Sequence, residues 1–219
     1  MSSARPPRLY IVTDRAATGN RPAVEVVAQA LRGIAGTGLA PGEVAVQLRE
    51  KDLAGRALME LARPLRALTA AAGVGLYVND RIDVALAAGA DGVHLTGTSL
   101  SSAEARAIAP RLAIGVSAHR LGDVRAAGQA SFAVFGPIRD TPSKRALGSP
   151  LGLEPLAEAA RLGLPLLAIG GIDAGAVAEV VAVGAYGVAC IRPVMQAADP
   201  AEAVRKLARA LASSAVRRP

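Results

Sequence analysis

The chain has 219 residues, 52% of them hydrophobic, a formal net charge of +7 and only five aromatic side chains. Such a length suits one domain with a large core, which these numbers require to be built from Val, Leu, Ile and Ala. Scattered Arg residues without stacking aromatics argue against nucleic-acid binding. No apolar run reaches membrane-spanning length, and Met1–Arg8 has no hydrophobic signal core. The single cysteine, Cys190, excludes an internal disulfide framework and suits a reducing cytoplasm, so a cytoplasmic protein is expected.

Eight short apolar runs read as strands: Leu9–Thr13, Val44–Arg49, Leu76–Asn79, Gly92–Leu95, Ala113–Ser117, Phe132–Gly136, Leu166–Gly170 and Gly187–Ile191. Ala/Leu-rich stretches between and after them read as helices near 22–35, 53–72, 81–88, 101–109, 121–129, 152–162, 173–183 and 199–213. Strict alternation of strand and helix predicts crossover units and a parallel sheet. Eight such units predict an α/β chain forming one (β/α)8 TIM barrel over 1–219, with short tails at about 1–7 and 214–219.

In that architecture chemistry belongs at the C-terminal strand ends. Strand alternation puts Ala45, Gln47 and Arg49 on one face and Val44, Val46 and Leu48 on the other. The branched set suits the helix-packed exterior, so Gln47 and Arg49 turn into the barrel mouth with Lys51 just above. A neutral amide with two cations suits a substrate carrying a polar ring and an anionic tail; a solvated charge run is the other reading. After the third strand, Asn79 is a hydrogen-bond donor for phosphate or amide, and Asp80 either caps the following helix or holds a divalent metal.

His94 lies inside an apolar strand, as a hydrogen-bonded core residue or a substrate contact. His119 lies past its strand end, where a proton donor or acceptor is placed, or is simply a loop histidine. The segment Thr141-Pro142-Ser143-Lys144 supplies two hydroxyls and an ammonium, donors suited to a phosphate. Adjacent glycines at 170 and 171 let backbone N–H groups approach an anion, and Arg192 follows the last strand as a charged clamp. Cys190, within that strand, reads as a buried inert thiol.

Six strings, in order, resemble the thiamin phosphate synthase family and its close relatives, the thiazole tautomerases. They are Gln47-Leu48-Arg49-Glu50-Lys51, Asn79-Asp80-Arg81, Gly89–Leu95, Gly115–His119, Gly136-Pro137 with Thr141–Lys144, and Ala168–Ile172. The resemblance implies coupling of an aminopyrimidine methyl diphosphate with a thiazole ethyl phosphate, releasing pyrophosphate, with Mg²⁺ as cofactor. It assigns Gln47 to the pyrimidine, and Arg49, Lys51, Asn79 and Lys144 to the diphosphate. Ser117 then lies beside the pyrophosphate, Thr141 and Ser143 on the thiazole phosphate side, and Gly171 and the Ile191–Arg192 backbone around that phosphate.

Three departures from the family pattern stand out. Ser99 occupies the position of a second metal-binding Asp, so Mg²⁺ would rest on Asp80, pyrophosphate oxygens and water. Arg192-Pro193 replaces a Ser-Ala/Gly pair, and the proline removes one backbone donor. Ser143 replaces a threonine. The lost carboxylate is a feature of the tautomerase branch, which uses a histidine at the position of His119 and no metal; retention of Gln47, Asp80 and Lys144 favours the synthase. A regulator that senses thiazole phosphate without turnover is the third reading. The expected partners are small phosphorylated pyrimidine and thiazole molecules, with neither nucleic acid nor membrane, and a homodimer is left open.

Overall fold

All eight expected strands form, and they close on one another. The computed structural model describes residues 5–140 and 149–214. The strands are β1 (Leu9–Val12), β2 (Val44–Leu48), β3 (Gly75–Asn79), β4 (Gly92–Leu95), β5 (Ala113–Ala118), β6 (Phe132–Phe135), β7 (Leu166–Ile169) and β8 (Gly187–Cys190). Every neighbour is parallel, in the order β1 to β8 and back to β1. The closing seam pairs Leu9, Tyr10 and Ile11 with Val188, Ala189 and Cys190. Arg8 reinforces it, accepting from the Val188 N–H at 2.8 Å and donating to the Leu211 carbonyl at 2.6 Å.

Helices α1 (Ala23–Arg32), α2 (Gly55–Ala72), α3 (Ile82–Ala87), α4 (Ser102–Ile108), α5 (Leu121–Arg125), α6 (Leu153–Ala160) and α7 (Val177–Ala182) follow strands one to seven. After β8 come a one-turn helix, α8 (Arg192–Met195), and then α9 (Pro200–Ser213). The sequence reading has no counterpart of α8. Pro193, read from the sequence only as the loss of a backbone donor, falls in a first helical turn, where N–H groups lack intrahelical partners and proline is accommodated. Conversely, the helix expected from 173 begins only at Val177. The Asp173 carboxylate accepts from the Ala176 N–H at 3.0 Å, holding the preceding residues in a turn. No helix among the described residues is long and apolar enough to cross a membrane.

The alternation in β2 is as expected: Val44, Val46 and Leu48 pack into the outer core beneath the helices, while Ala45 joins the inner cluster. The composition of that inner cluster departs from expectation. Tyr10, Tyr77 and Phe132 meet inside the barrel as edge-to-face pairs with ring centroids 5.4–5.5 Å apart. Such geometry contributes about 0.5–1.5 kcal/mol per pair beyond area burial. Space for three rings comes from small neighbours. A Cβ on Gly92 would collide with the Tyr77 ring, and one on Gly115 would lie 2.6 Å from Phe132 and 2.9 Å from His94. Three of the five aromatics thus form a floor inside the barrel, below the mouth.

Candidate active site

Above this floor the inward-facing positions turn polar. Gln47 is 3% exposed, and its Nε2 donates to Asn79 Oδ1 at 3.0 Å. That pairing leaves Gln47 Oε1 as an acceptor and Asn79 Nδ2 as a donor. The main-chain N–H of Arg49 donates to the fully buried Thr13 hydroxyl at 3.0 Å, which fixes where its side chain starts. Arg49 is half-buried and lies close enough to His94 for its charge to act on the imidazole. Burial first, and that charge second, push the His94 pKa down to about 3. Its Nε2 lies 3.0 Å from Ser117 Oγ, and its Nδ1 3.5 Å from Tyr10 Oη. His94 is therefore a neutral, hydrogen-bonded core residue.

Glu50 and Lys51 flank this group differently. The Glu50 carboxylate is buried and accepts from the main-chain N–H and the Nε of Arg15, at 3.2 and 3.3 Å. It thereby ties the segment after β1 to the segment after β2. Lys51 is exposed. Asp80 is also exposed and holds a left-handed backbone with φ +64°. The capping reading of Asp80 does not hold: α3 is preceded by Arg81 and makes no side-chain cap hydrogen bond. A non-glycine residue kept at positive φ stores strain, which the main-chain bonds Asp80 N–H to His94 O (2.8 Å) and Arg81 N–H to Asn79 O (2.7 Å) hold in place.

The ends of β7 and β8 are marked by two adjacent glycines instead. A cavity of about 440 Å³ opens there, lined by Gly170, Gly171, Ile191 and Arg192, with Asp14 and Pro137 among its other walls. Gly170 and Gly171 have φ +98° and +66°, and a Cβ on Gly171 would lie 2.7 Å from that of Arg139. Only glycine suits both the conformation and the approach. Cys190 also borders the cavity; burial pushes its thiol up to about 12, so it remains protonated and inert. Arg139 bonds to the Gly170 carbonyl through its N–H at 3.0 Å and pairs with Glu179 through its guanidinium, bracing β6 against β7 and α7.

A family model described as thiamine monophosphate synthase matches residues 9–194. The chain belongs to the thiamine monophosphate synthase family. It is 46% identical over 204 residues to a putative thiamine-phosphate synthase of Geobacter sulfurreducens, covering 91% of this chain and 92% of that one. It is 44% identical over 203 residues to the thiamine-phosphate synthase of Roseiflexus castenholzii, covering 91% and 86%. The solved thiamine phosphate pyrophosphorylase of Pyrococcus furiosus superposes with a TM-score of 0.81 at 33% identity, covering 95% of this chain and 96% of that one. A 3-hexulose-6-phosphate synthase shares the barrel fold, with a TM-score of 0.60 at 19% identity.

The residues expected from thiamine monophosphate synthase family motifs distribute unevenly. Gln47 and Asn79 are in direct contact, Ser117 meets His94, and Gly171, Ile191 and Arg192 share one cavity. His119 is exposed; its Nδ1 lies 2.5 Å from the Gly136 carbonyl, which makes Nδ1 the protonated nitrogen. Thr141, Ser143 and Lys144 lie outside the described residues, as do the terminal segments 1–4 and 215–219 within the expected tails. Ser99 turns onto its own loop, accepting from the Thr96 N–H at 2.7 Å and meeting Thr96 Oγ1 at 3.1 Å. Sequence reasoning missed Tyr10 within β1 and Thr13 and Asp14 just after it. Thr13 closes the apolar run and Asp14 follows it, and that position was the available signal.

Proposed function

We propose that the chain is a thiamine-phosphate synthase, joining an aminopyrimidine methyl diphosphate to a thiazole ethyl phosphate and releasing pyrophosphate. The observation that carries the reading is the presence of a polar cluster and a glycine-lined cavity at one barrel mouth. One is built from Arg49, Asn79 and Ser117 around the buried amide of Gln47; the other is the glycine-lined cavity at β7 and β8. Gln47 Oε1, left free by the bond to Asn79, accepts from the exocyclic amine of the pyrimidine. Arg49, Lys51 and Lys144 hold the diphosphate, and Asn79 and Ser117 donate to its oxygens. Gly171, Ile191, Arg192, Thr141 and Ser143 receive the thiazole phosphate.

In the reaction the methylene C–O bond breaks and its electron pair leaves with pyrophosphate. The thiazole nitrogen then supplies the pair that forms the new C–N bond. Negative charge grows on the leaving oxygen as the bond breaks, so cations and donors aimed there bind the transition state more tightly than the substrate. His119 is not required to move a proton in this sequence.

Magnesium fits this mouth in a limited way. Among the described residues no three His, Cys, Asp or Glu side chains cluster as a metal site. Asp80 supplies one exposed carboxylate, and the Ser99 hydroxyl is spent on its own turn. One hard oxygen with diphosphate oxygens and water is an ordinary set for Mg²⁺, so Asp80 would hold the ion together with the diphosphate. When bound it neutralises charge on the leaving group.

Incubation of the full chain with both substrates and Mg²⁺ tests the proposal. Equal amounts of pyrophosphate and thiamine phosphate are expected. Isomerisation of the thiazole phosphate without pyrophosphate release would establish the tautomerase reading, in which His119 transfers the proton.

A further inference from the structure

A chain of three polar side chains crosses the barrel interior below the diphosphate zone. Tyr10 enters from β1, His94 from β4 and Ser117 from β5. Tyr10 is fully buried, and among the described residues its hydroxyl has one partner, His94 Nδ1 at 3.5 Å. His94 Nε2 in turn meets Ser117 Oγ at 3.0 Å. The direction of this chain follows from counting hydrogens. If Nδ1 carried the imidazole proton, the Tyr10 O–H would be a buried donor without an acceptor among the described residues, a costly arrangement. Tyr10 therefore donates to Nδ1, the single imidazole proton sits on Nε2, and Nε2–H donates to Ser117 Oγ.

The surroundings hold that arrangement. The imidazole is tilted against the Tyr10 ring, with centroids 5.7 Å apart, and packs near Phe132 at 6.4 Å. Gly115 permits its approach, since a Cβ there would lie 2.9 Å from Nδ1. Burial keeps both members in their neutral forms: it raises the Tyr10 pKa well above 10 and lowers that of His94. A serine whose oxygen already accepts from below has its own hydrogen free to point the other way. Chains of hydrogen bonds of one polarity also strengthen one another in a low-dielectric interior.

We infer that Tyr10 and His94 are positioning residues that set the direction of the Ser117 hydroxyl, keeping its hydrogen turned into the mouth as a donor to the departing pyrophosphate. The inference rests on the placement of Ser117 beside the leaving group in the proposed reaction. It makes the aromatic floor part of the site: the tyrosine touches no substrate, yet it selects the tautomer that selects the serine rotamer.

Two measurements on the full-length protein test it. In ¹⁵N-labelled protein without ligand, His94 should show a protonated Nε2 and an unprotonated Nδ1, and Tyr10→Phe should abolish that preference. A protonated Nδ1 in the wild type overturns the inference directly. In the coupling assay, Tyr10→Phe should lower kcat about tenfold while leaving both KM values within about twofold. On a Ser117→Ala background the same change should have no further effect, because no rotamer is left to set. His94→Gln should retain more turnover than His94→Leu, since an amide can accept from Tyr10 and donate to Ser117. Loss of turnover in Ser117→Ala, with wild-type rates in Tyr10→Phe and His94→Leu, overturns the relay alone. Unchanged pyrophosphate release in Ser117→Ala removes the placement of Ser117 and this inference with it.

Discussion

The two sides of the barrel mouth are made in different ways. On the side of β2 to β5 the proposed contacts are side chains, and each is held by a second group: Gln47 with Asn79, the Arg49 backbone by Thr13, Ser117 by His94. On the side of β7 and β8 the cavity wall includes Gly170 and Gly171, at positions where an added side chain would collide with its surroundings. The difference matches the chemistry proposed for each. A leaving group gains charge during reaction and needs donors that respond to that charge. A phosphate that serves only as a handle gains nothing, so N–H groups in a shaped cavity suffice to bind it. Changes of charge should therefore injure the first side most, and changes of volume the second.

Four experiments would break or sharpen that contrast. Arg49→Ala should cost about 10²-fold or more in turnover, as loss of a group acting on developing charge does, with thermal unfolding unchanged; Lys144→Ala should behave alike. Wild-type rates in either protein would detach the first zone from the leaving group. Asp80→Asn should next raise the Mg²⁺ concentration needed for half-maximal turnover about tenfold, and Ser99→Asp should lower it by adding a hard oxygen. Turnover indifferent to chelator would contradict both. Gly171→Ala should destabilise the protein by about 1–2 kcal/mol and raise the thiazole phosphate KM, while the KM for the diphosphate stays put. An equal rise in both would mean that the two zones are not separate. His119→Ala should leave coupling within about one order of magnitude; a loss of about 10²–10⁴-fold would mark it as a proton carrier.

The buried imidazole adds a pH dependence to the first zone. His94 binds a proton in the unfolded chain below about 6.5 but in the folded protein only near 3. Between those values the unfolded state holds more protons, so stability falls as pH drops through that window, by at most about 1.4 kcal/mol per pH unit. Unfolding midpoints measured from pH 6.5 to 4.5 should show this slope in the wild type and a flatter one in His94→Gln. An identical slope in the two proteins would place the effect elsewhere.

Much of this was legible in the sequence. Alternation along Val44–Arg49 was enough to turn Gln47 towards the mouth, because a period of two leaves each residue only two faces. All eight strands were found for a related reason: buried parallel strands are unbroken apolar runs. What escaped depends on residues distant in sequence. Nothing local in Leu9–Thr13 shows that Tyr10 will meet Tyr77, His94 and Phe132, since barrel closure creates that meeting. The positive φ of Asp80 escaped because asparagine and aspartate before a helix ordinarily signal a cap, and α8 escaped because proline is both a helix breaker and a good first-turn residue. Residues 141, 143 and 144 were reached from their hydroxyls and ammonium as well as from motif resemblance, and lie outside the described residues.

The seam between β1 and β8 has a consequence for the birth of the molecule. Leu9–Ile11 finds its second neighbour only at Val188–Cys190, so a chain emerging in order must carry an open strand edge until nearly all of it has been made. Exposed edges of that kind recruit other chains, and pairings between distant segments are slow to form. Once Arg8 has engaged the Val188 N–H and the Leu211 carbonyl, no free edge remains in the sheet. The hazard for this protein thus lies in the interval before closure, and damage to the seam should appear first as lost yield rather than as altered catalysis.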